Sequence, residues 1–166
     1  MLKQMLQEIV IDKKRQGIPN FVIKNFLKEY LQYPILDFIY NNKVYNNFIF
    51  TGGSCLRVCF GAPRLSEDLD FDLYVKDYDK LNLIEMGEII KKYFRDKFLL
   101  DIAVKCQSNI RLYLKFPVLK ELELASTSES NFLYVKIEPS QTEFNNPDVE
   151  LTSISQYGFN FIARNY

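Results

Sequence analysis

Two short stretches of this chain carry residues whose types and spacing could do chemistry. Gly52-Gly53-Ser54 closes an apolar run, and Asp68-Leu69-Asp70-Phe71-Asp72 follows after thirteen residues. Paired glycines let a backbone approach a ligand closely, and Ser54 falls where a helix would be N-capped. The free N–H groups of a first helical turn, together with the helix dipole, favour phosphate there. In an extended segment side chains alternate, so Asp68, Asp70 and Asp72 share one face, and Leu69, Phe71 and Leu73 the other. Three ionised carboxylates on one face repel each other, which a bound Mg²⁺ relieves. Each stretch also has a plainer reading, an ordinary strand-to-helix turn and a solvated edge strand. Their close succession favours a site for a nucleoside triphosphate and a divalent metal.

A third stretch, Tyr134-Val135-Lys136-Ile137-Glu138, alternates in the same way. Leu133, Val135 and Ile137 form its apolar face, and Tyr134, Lys136 and Glu138 its polar one. Should this strand neighbour the acidic one, Glu138 completes a carboxylate triad suited to two metal ions. Lys136 then balances charge or touches phosphate. Taken alone, the Lys/Glu alternation also fits a solvated strand face.

Composition removes the competing chemistries. The 166 residues include no histidine, which excludes histidine triads, imidazole bases and the common zinc signatures. Acid–base or metal chemistry must rest on carboxylates, lysine, tyrosine or cysteine. The 21 basic residues balance the 21 acidic ones, so the chain lacks the global basic footprint of a dedicated nucleic-acid binder. Cys55, Cys59 and Cys106 are odd in number and read as reduced, small core residues of a cytoplasmic protein. Residues 1–16 mix charge into their apolar positions and form neither a signal peptide nor a membrane span.

The elements that must position these residues follow from periodicity. Leu2, Leu6, Ile9 and Val10 recur at helical spacing, with breaks at Gly17 and Pro19. A second amphipathic helix runs from Phe21 through Leu31, is ended or kinked at Pro34, and continues over residues 35–40. A short buried strand over 48–50 enters the glycines, and a short helix over 54–60 is closed by Gly61 and Pro63. The acidic strand spans 69–75, a helix 81–98, and strands 99–105, 110–116 and 132–138. Helices mixed with several strands indicate an α/β or α+β domain with helices packed on a sheet.

The run Gly52-Gly53-Ser54-Cys55-Leu56-Arg57, followed by Gly61-Ala62-Pro63-Arg64-Leu65-Ser66-Glu67-Asp68-Leu69-Asp70-Phe71-Asp72, closely resembles the AbiEii/AbiGii-type nucleotidyltransferase toxins. Their signature is a Gly-Gly-Thr/Ser-Ala-Leu-Arg turn and helix, then Gly-x-Pro-Arg-x-Ser-x-Asp-Leu-Asp-Phe. Cys55 replaces the usual alanine.

The resemblance implies the nucleotidyltransferase fold related to DNA polymerase β, a mixed sheet flanked by helices. It implies that Gly52, Gly53 and Ser54 hold triphosphate, that Asp68 and Asp70 bind Mg²⁺, and that Glu138 is the third acid. Arg64 and Ser66 either contact nucleotide or brace the loop, Lys136 joins the nucleotide side, and Asp72 is the weaker metal candidate. The implied activity is Mg²⁺-dependent transfer of NMP from an NTP to an acceptor hydroxyl, with RNA or a tRNA 3′ end as acceptor. The implied setting is a toxin–antitoxin or abortive-infection system with a cognate antitoxin. Residues 1–150, including N-terminal helices over 1–42, are expected to form the nucleotidyltransferase domain. Residues 151–166 are read as the start of a helical C-terminal region cut short, with Asn160 where the family's lysine is expected. Two other functions fit the same residues. One is a catalytically silent nucleotide- or partner-binding domain; the other is NMP transfer to a small molecule or a protein.

Overall fold

The alternation of residues 69–74 builds the centre of the molecule. In the computed structural model, which describes residues 1–143 and 148–166, β2 (Leu69–Tyr74) buries Leu69, Phe71 and Leu73 and leaves Asp70 and Asp72 partly open. β1 (Ile49–Thr51) pairs antiparallel with it, and Phe71 stacks on Phe50 at 5.4 Å between ring centroids. Thr51 then leads directly into α3 (Gly52–Phe60).

Five further strands complete one mixed sheet: β3 (Ala103–Gln107), β4 (Arg111–Pro117), β5 (Phe132–Thr142), β6 (Glu150–Gln156) and β7 (Phe159–Asn165). The seven strands run in the order β3-β4-β5-β2-β1-β7-β6. β5 lies parallel to β2, and β7 parallel to β1; the other neighbours are antiparallel.

Helices α1 (Leu2–Arg15), α2 (Asn20–Tyr40) and α5 (Leu83–Phe98), with the short α4 (Val75–Lys80), complete the fold. The helix expected over 81–98 starts at Leu83, capped by the Asn82 side chain on the Glu85 N–H at 3.1 Å. α2 continues through Pro34 to Tyr40, so residues 35–40 are helical as expected and the proline does not end the helix. The missing N–H removes one helical bond, but every residue from Tyr30 to Tyr40 is buried, and that packing outweighs it. No helix among the described residues is long and apolar enough to cross a membrane.

Residues 151–166 are not helical. They form most of the β6–β7 hairpin and extend the same sheet as the acidic strand. The reason is a period of two: Phe159, Phe161, Ala163 and Asn165 are buried while Asn160 and Ile162 are exposed. Asn160 therefore sits on a strand, its carbonyl accepting from Asn41 and its side chain from Ser155. The Tyr40 hydroxyl donates to the carbonyls of Phe48 at 3.0 Å and Arg164 at 3.3 Å, tying β7 to the entrance of β1.

Arg57 of the signature holds the loop between α3 and β2. Its Nε meets Glu29 Oε2 on α2 at 2.6 Å, and its Nη1 donates to the carbonyls of Ala62 at 3.0 Å and Pro63 at 2.8 Å. Arg57→Ala leaves the mostly buried Glu29 carboxylate unpaired and should cost about 1–3 kcal/mol in urea unfolding. A change smaller than about 0.5 kcal/mol, the range of an ordinary surface substitution, would show that this contact does not hold the loop.

Candidate active site

The turn between β1 and α3 meets the acidic strand at its first residues. Thr51 is the N-cap, in extended conformation, and α3 begins at Gly52. Ser54, expected at the N-cap, is instead the third helical residue. It is 1% exposed, and its hydroxyl donates to the Asp68 carbonyl. Its side chain is thus spent on fixing the start of β2. No side chain caps the first turn of α3, so its backbone N–H groups are what this turn presents to a phosphate.

Both glycines lie close to side chains of the acidic strand and the loop before it, and Gly52 also needs its left-handed backbone. Gly52 has φ +76°, and a Cβ there would lie 2.6 Å from Asp70 Oδ2. A Cβ on Gly53 would lie 2.9 Å from Ser66 Oγ. Ser66 therefore packs under the turn, and its carbonyl accepts from Gln32 Nε2 at 2.8 Å. Of its two readings this geometry matches the loop brace. Arg64 is exposed and takes part in none of the side-chain hydrogen bonds or ion pairs among the described residues.

The parallel pairing of β2 and β5 sets Asp70 directly beside Glu138. Asp68 lies just before β2, and Lys136 Nζ bridges Asp68 Oδ2 at 3.3 Å and Glu138 Oε2 at 2.9 Å. Arg111, which sequence reasoning did not single out, reaches Glu138 Oε1 from β4 at 3.2 Å. Its signal was present as Arg111-x-Tyr113-x-Lys115, a polar alternation like that of β5, but nothing local says which strand it would face. Asp72 lies further along β2, where its Oδ2 accepts from the Tyr166 hydroxyl at 2.6 Å, and burial and this contact push the Tyr166 hydroxyl up to about 12.

Electrostatics divide the carboxylates. Burial, and then the negative charges of Asp68 and Glu138, raise the Asp70 carboxyl above its ordinary range, with Lys136 opposing. Glu138 is held below the usual range, chiefly by its hydrogen bond to Lys136 and also by Arg111. Lys136 is raised in turn by Glu138. Among the described residues no three carboxylate or thiol donors converge as a ready cation cage. The donor types nevertheless fit a hard cation: all are carboxylate oxygens, and an ammonium already bridges two of them where positive charge is wanted.

A family model described as nucleotidyl transferase AbiEii toxin, type IV TA system, matches residues 35–163. No curated protein matches the chain. Among solved structures the fold is similar to that of MenT4, a nucleotidyltransferase toxin from Mycobacterium tuberculosis H37Rv, with a TM-score of 0.60 and 19% identity. That likeness covers 96% of this chain and 52% of the other, so this chain spans about half the length of MenT4.

Proposed function

The chain belongs to the nucleotidyl transferase AbiEii toxin family of type IV toxin–antitoxin systems, and on that premise we propose that it moves NMP from an NTP to an RNA hydroxyl. The observation that supports this most is the register placing Asp70 beside Glu138, one residue pair from the glycine turn. Asp68, Asp70 and Glu138 are the residues that would hold Mg²⁺. The bound metal would neutralise phosphate charge and lower the pKa of the acceptor hydroxyl.

The chain's own groups divide the remaining work. The α3 first-turn N–H groups receive the triphosphate, with the two glycines leaving room for it. Lys136 exchanges its carboxylate partners for phosphate oxygens. Glu138, still paired by Arg111 once Lys136 has turned to phosphate, stays ionised and accepts the hydroxyl proton at a carboxylate oxygen. The acceptor oxygen bonds to the α-phosphorus, the α–β bridging bond breaks, and pyrophosphate leaves. A 3′ end of tRNA is the acceptor we favour, in a cytoplasmic setting with a cognate antitoxin as regulator.

The test is incubation with Mg²⁺, total tRNA and each labelled NTP in turn. Label is expected on RNA with one NTP preferred. Label confined to protein or to a small molecule would overturn the RNA assignment, and nucleotide binding without pyrophosphate release would overturn transfer itself.

Lys136 makes a further prediction. Lys136→Met removes the cation that offsets Asp68 and Glu138, so the metal-free protein should lose stability at neutral pH. Glu138, whose folded pKa is depressed, contributes stability above its unfolded pKa, and this is lost as pH falls through the folded value. The Lys136→Met deficit in melting temperature should therefore shrink on acidification below the usual glutamate range. A deficit that is constant with pH would show that Lys136 acts through packing.

A further inference from the structure

One face of the outer three strands is partly open to solvent and rich in cations. α5 packs on the opposite face, where a Cβ added at Gly87 would touch Leu112 and Val104. β4 is buried at Leu112, Leu114 and Phe116 but half-open at Arg111, Tyr113 and Lys115. Cross-strand register sets Lys105 beside Tyr113 and Tyr113 beside Lys136, and, two pairs along on the same face, Lys115 beside Tyr134. Lys105, Arg111, Lys115 and Lys136 thus share the open face of β3, β4 and β5 with a single acid, Glu138, in a chain with no net charge.

The aromatic residues are interleaved with these cations. Tyr134 is 40% exposed, and Lys115 Nζ sits 5.7 Å from its ring centroid and 5.8 Å from that of Phe132. Such rings beside cations, on an open sheet face, suit bases that stack and phosphates that pair. The face also ends at the site. Tyr134, Lys136 and Glu138 follow one another on β5, and Arg111 touches Glu138 from β4. Tyr134 lies about 13 Å along the strand from Glu138 at ordinary strand rise, a distance that a short unpaired end spans.

We infer that the open β3–β4–β5 face is the docking surface for the acceptor, a single-stranded RNA 3′ end. Its bases stack on Tyr113 and Tyr134, and its phosphates lie on Lys105 and Lys115, so that the terminal hydroxyl enters beside Glu138. This rests on the transfer reading above but concerns binding alone, so it is tested without NTP.

The full chain is titrated against a short 5′-fluorescein single-stranded RNA bearing a free 3′ hydroxyl, followed by fluorescence anisotropy at several salt concentrations. Tyr113→Ala with Tyr134→Ala, and separately Lys105→Glu with Lys115→Glu, should each weaken binding about tenfold or more. The lysine pair should also flatten the salt dependence. Lys91→Glu with Lys92→Glu, on α5 across the sheet, is the charge-matched control and should bind as the parent does. Circular dichroism and melting identify any variant that fails to fold, and Tyr113→Phe with Tyr134→Phe should keep stacking and binding. Equal binding by all variants overturns the docking surface while leaving transfer to RNA open. No RNA binding by the parent chain, or a dimer dissolved by Lys105→Glu with Lys115→Glu, also overturns it. Pyrophosphate release from NTP, measured separately, then shows whether the transfer reading survives.

Discussion

Asp70→Asn should abolish measurable nucleotidyl transfer, a loss of about a thousandfold or more, while the chain stays folded. A thousandfold is about 4 kcal/mol of barrier, the scale expected when a group that holds a catalytic metal loses its charge. The isosteric amide keeps the shape that packs against Gly52, so the fold should not suffer. Stability should move the other way. The Asp70 carboxyl is raised in the folded state by burial and by Asp68 and Glu138. A raised carboxyl favours folding at low pH, and that contribution is lost as pH rises through its folded pKa. At neutral pH without metal, Asp70→Asn should therefore melt at or above the temperature of the parent, and the difference should vanish below the ordinary aspartate range. Full transfer activity in this variant would remove Asp70 from the chemistry. A clear fall in melting temperature would mean that the carboxylate is structural.

Gly52→Ala carries the second large effect, through geometry alone. At φ +76° an L-residue costs about 1–2 kcal/mol, and the new Cβ would stand 2.6 Å from Asp70 Oδ2. Either the turn or the carboxylate must shift by a substantial fraction of an ångström. Misplacement on that scale can cost about a hundredfold in rate, so transfer should fall about that much, with about 1–3 kcal/mol lost in unfolding. Gly158→Ala is the control. Its φ is +81°, in the β6–β7 turn, and a Cβ there meets nothing within 4 Å. It should show the stability loss and keep its activity. Parallel losses of activity in both variants would point to general destabilisation, not to the contact with Asp70.

Features set within a few residues were readable before any fold was known. The alternation of Leu69, Phe71 and Leu73 with Asp70 and Asp72 requires a strand with one apolar face, and the strand forms over Leu69–Tyr74, one residue short of the expected end because Val75 opens α4. The first helix, the short helix after the glycines and the break at Gly61 followed for the same reason, since apolar spacing and left-handed glycine positions are local signals. The strand expected over 99–105 forms only from Ala103, although Leu100 and Ile102 are apolar. Residues 99–102 instead leave α5 through Leu99 at φ 54°, and Leu100 and Ile102 are buried without pairing. Apolar character reports burial, not the backbone state that achieves it.

The C-terminal stretch failed differently. Family expectation pointed to helix, while Phe159, Phe161 and Ala163 alternate as a strand must. The local pattern was the better guide, and Pro34 within α2 gives the complementary lesson, because a local breaker does not end a helix whose surrounding residues, 30–40, are all buried.

By itself the sequence determined which side chains are available for chemistry: carboxylates and lysine with no imidazole, a glycine turn, and an acidic strand with its polar face sorted from its core face. These follow from residue type and a period of two, which need no partner. Only the tertiary structure decided who stands beside whom. The parallel pairing of β5 with β2, across all the chain that separates them, brings Glu138 to Asp70. The same sheet turns Ser54 inward to the Asp68 carbonyl, threads Lys136 between two carboxylates and brings Arg111 onto Glu138. Register between distant strands is set by the whole core beneath them, and no local stretch of residues encodes it.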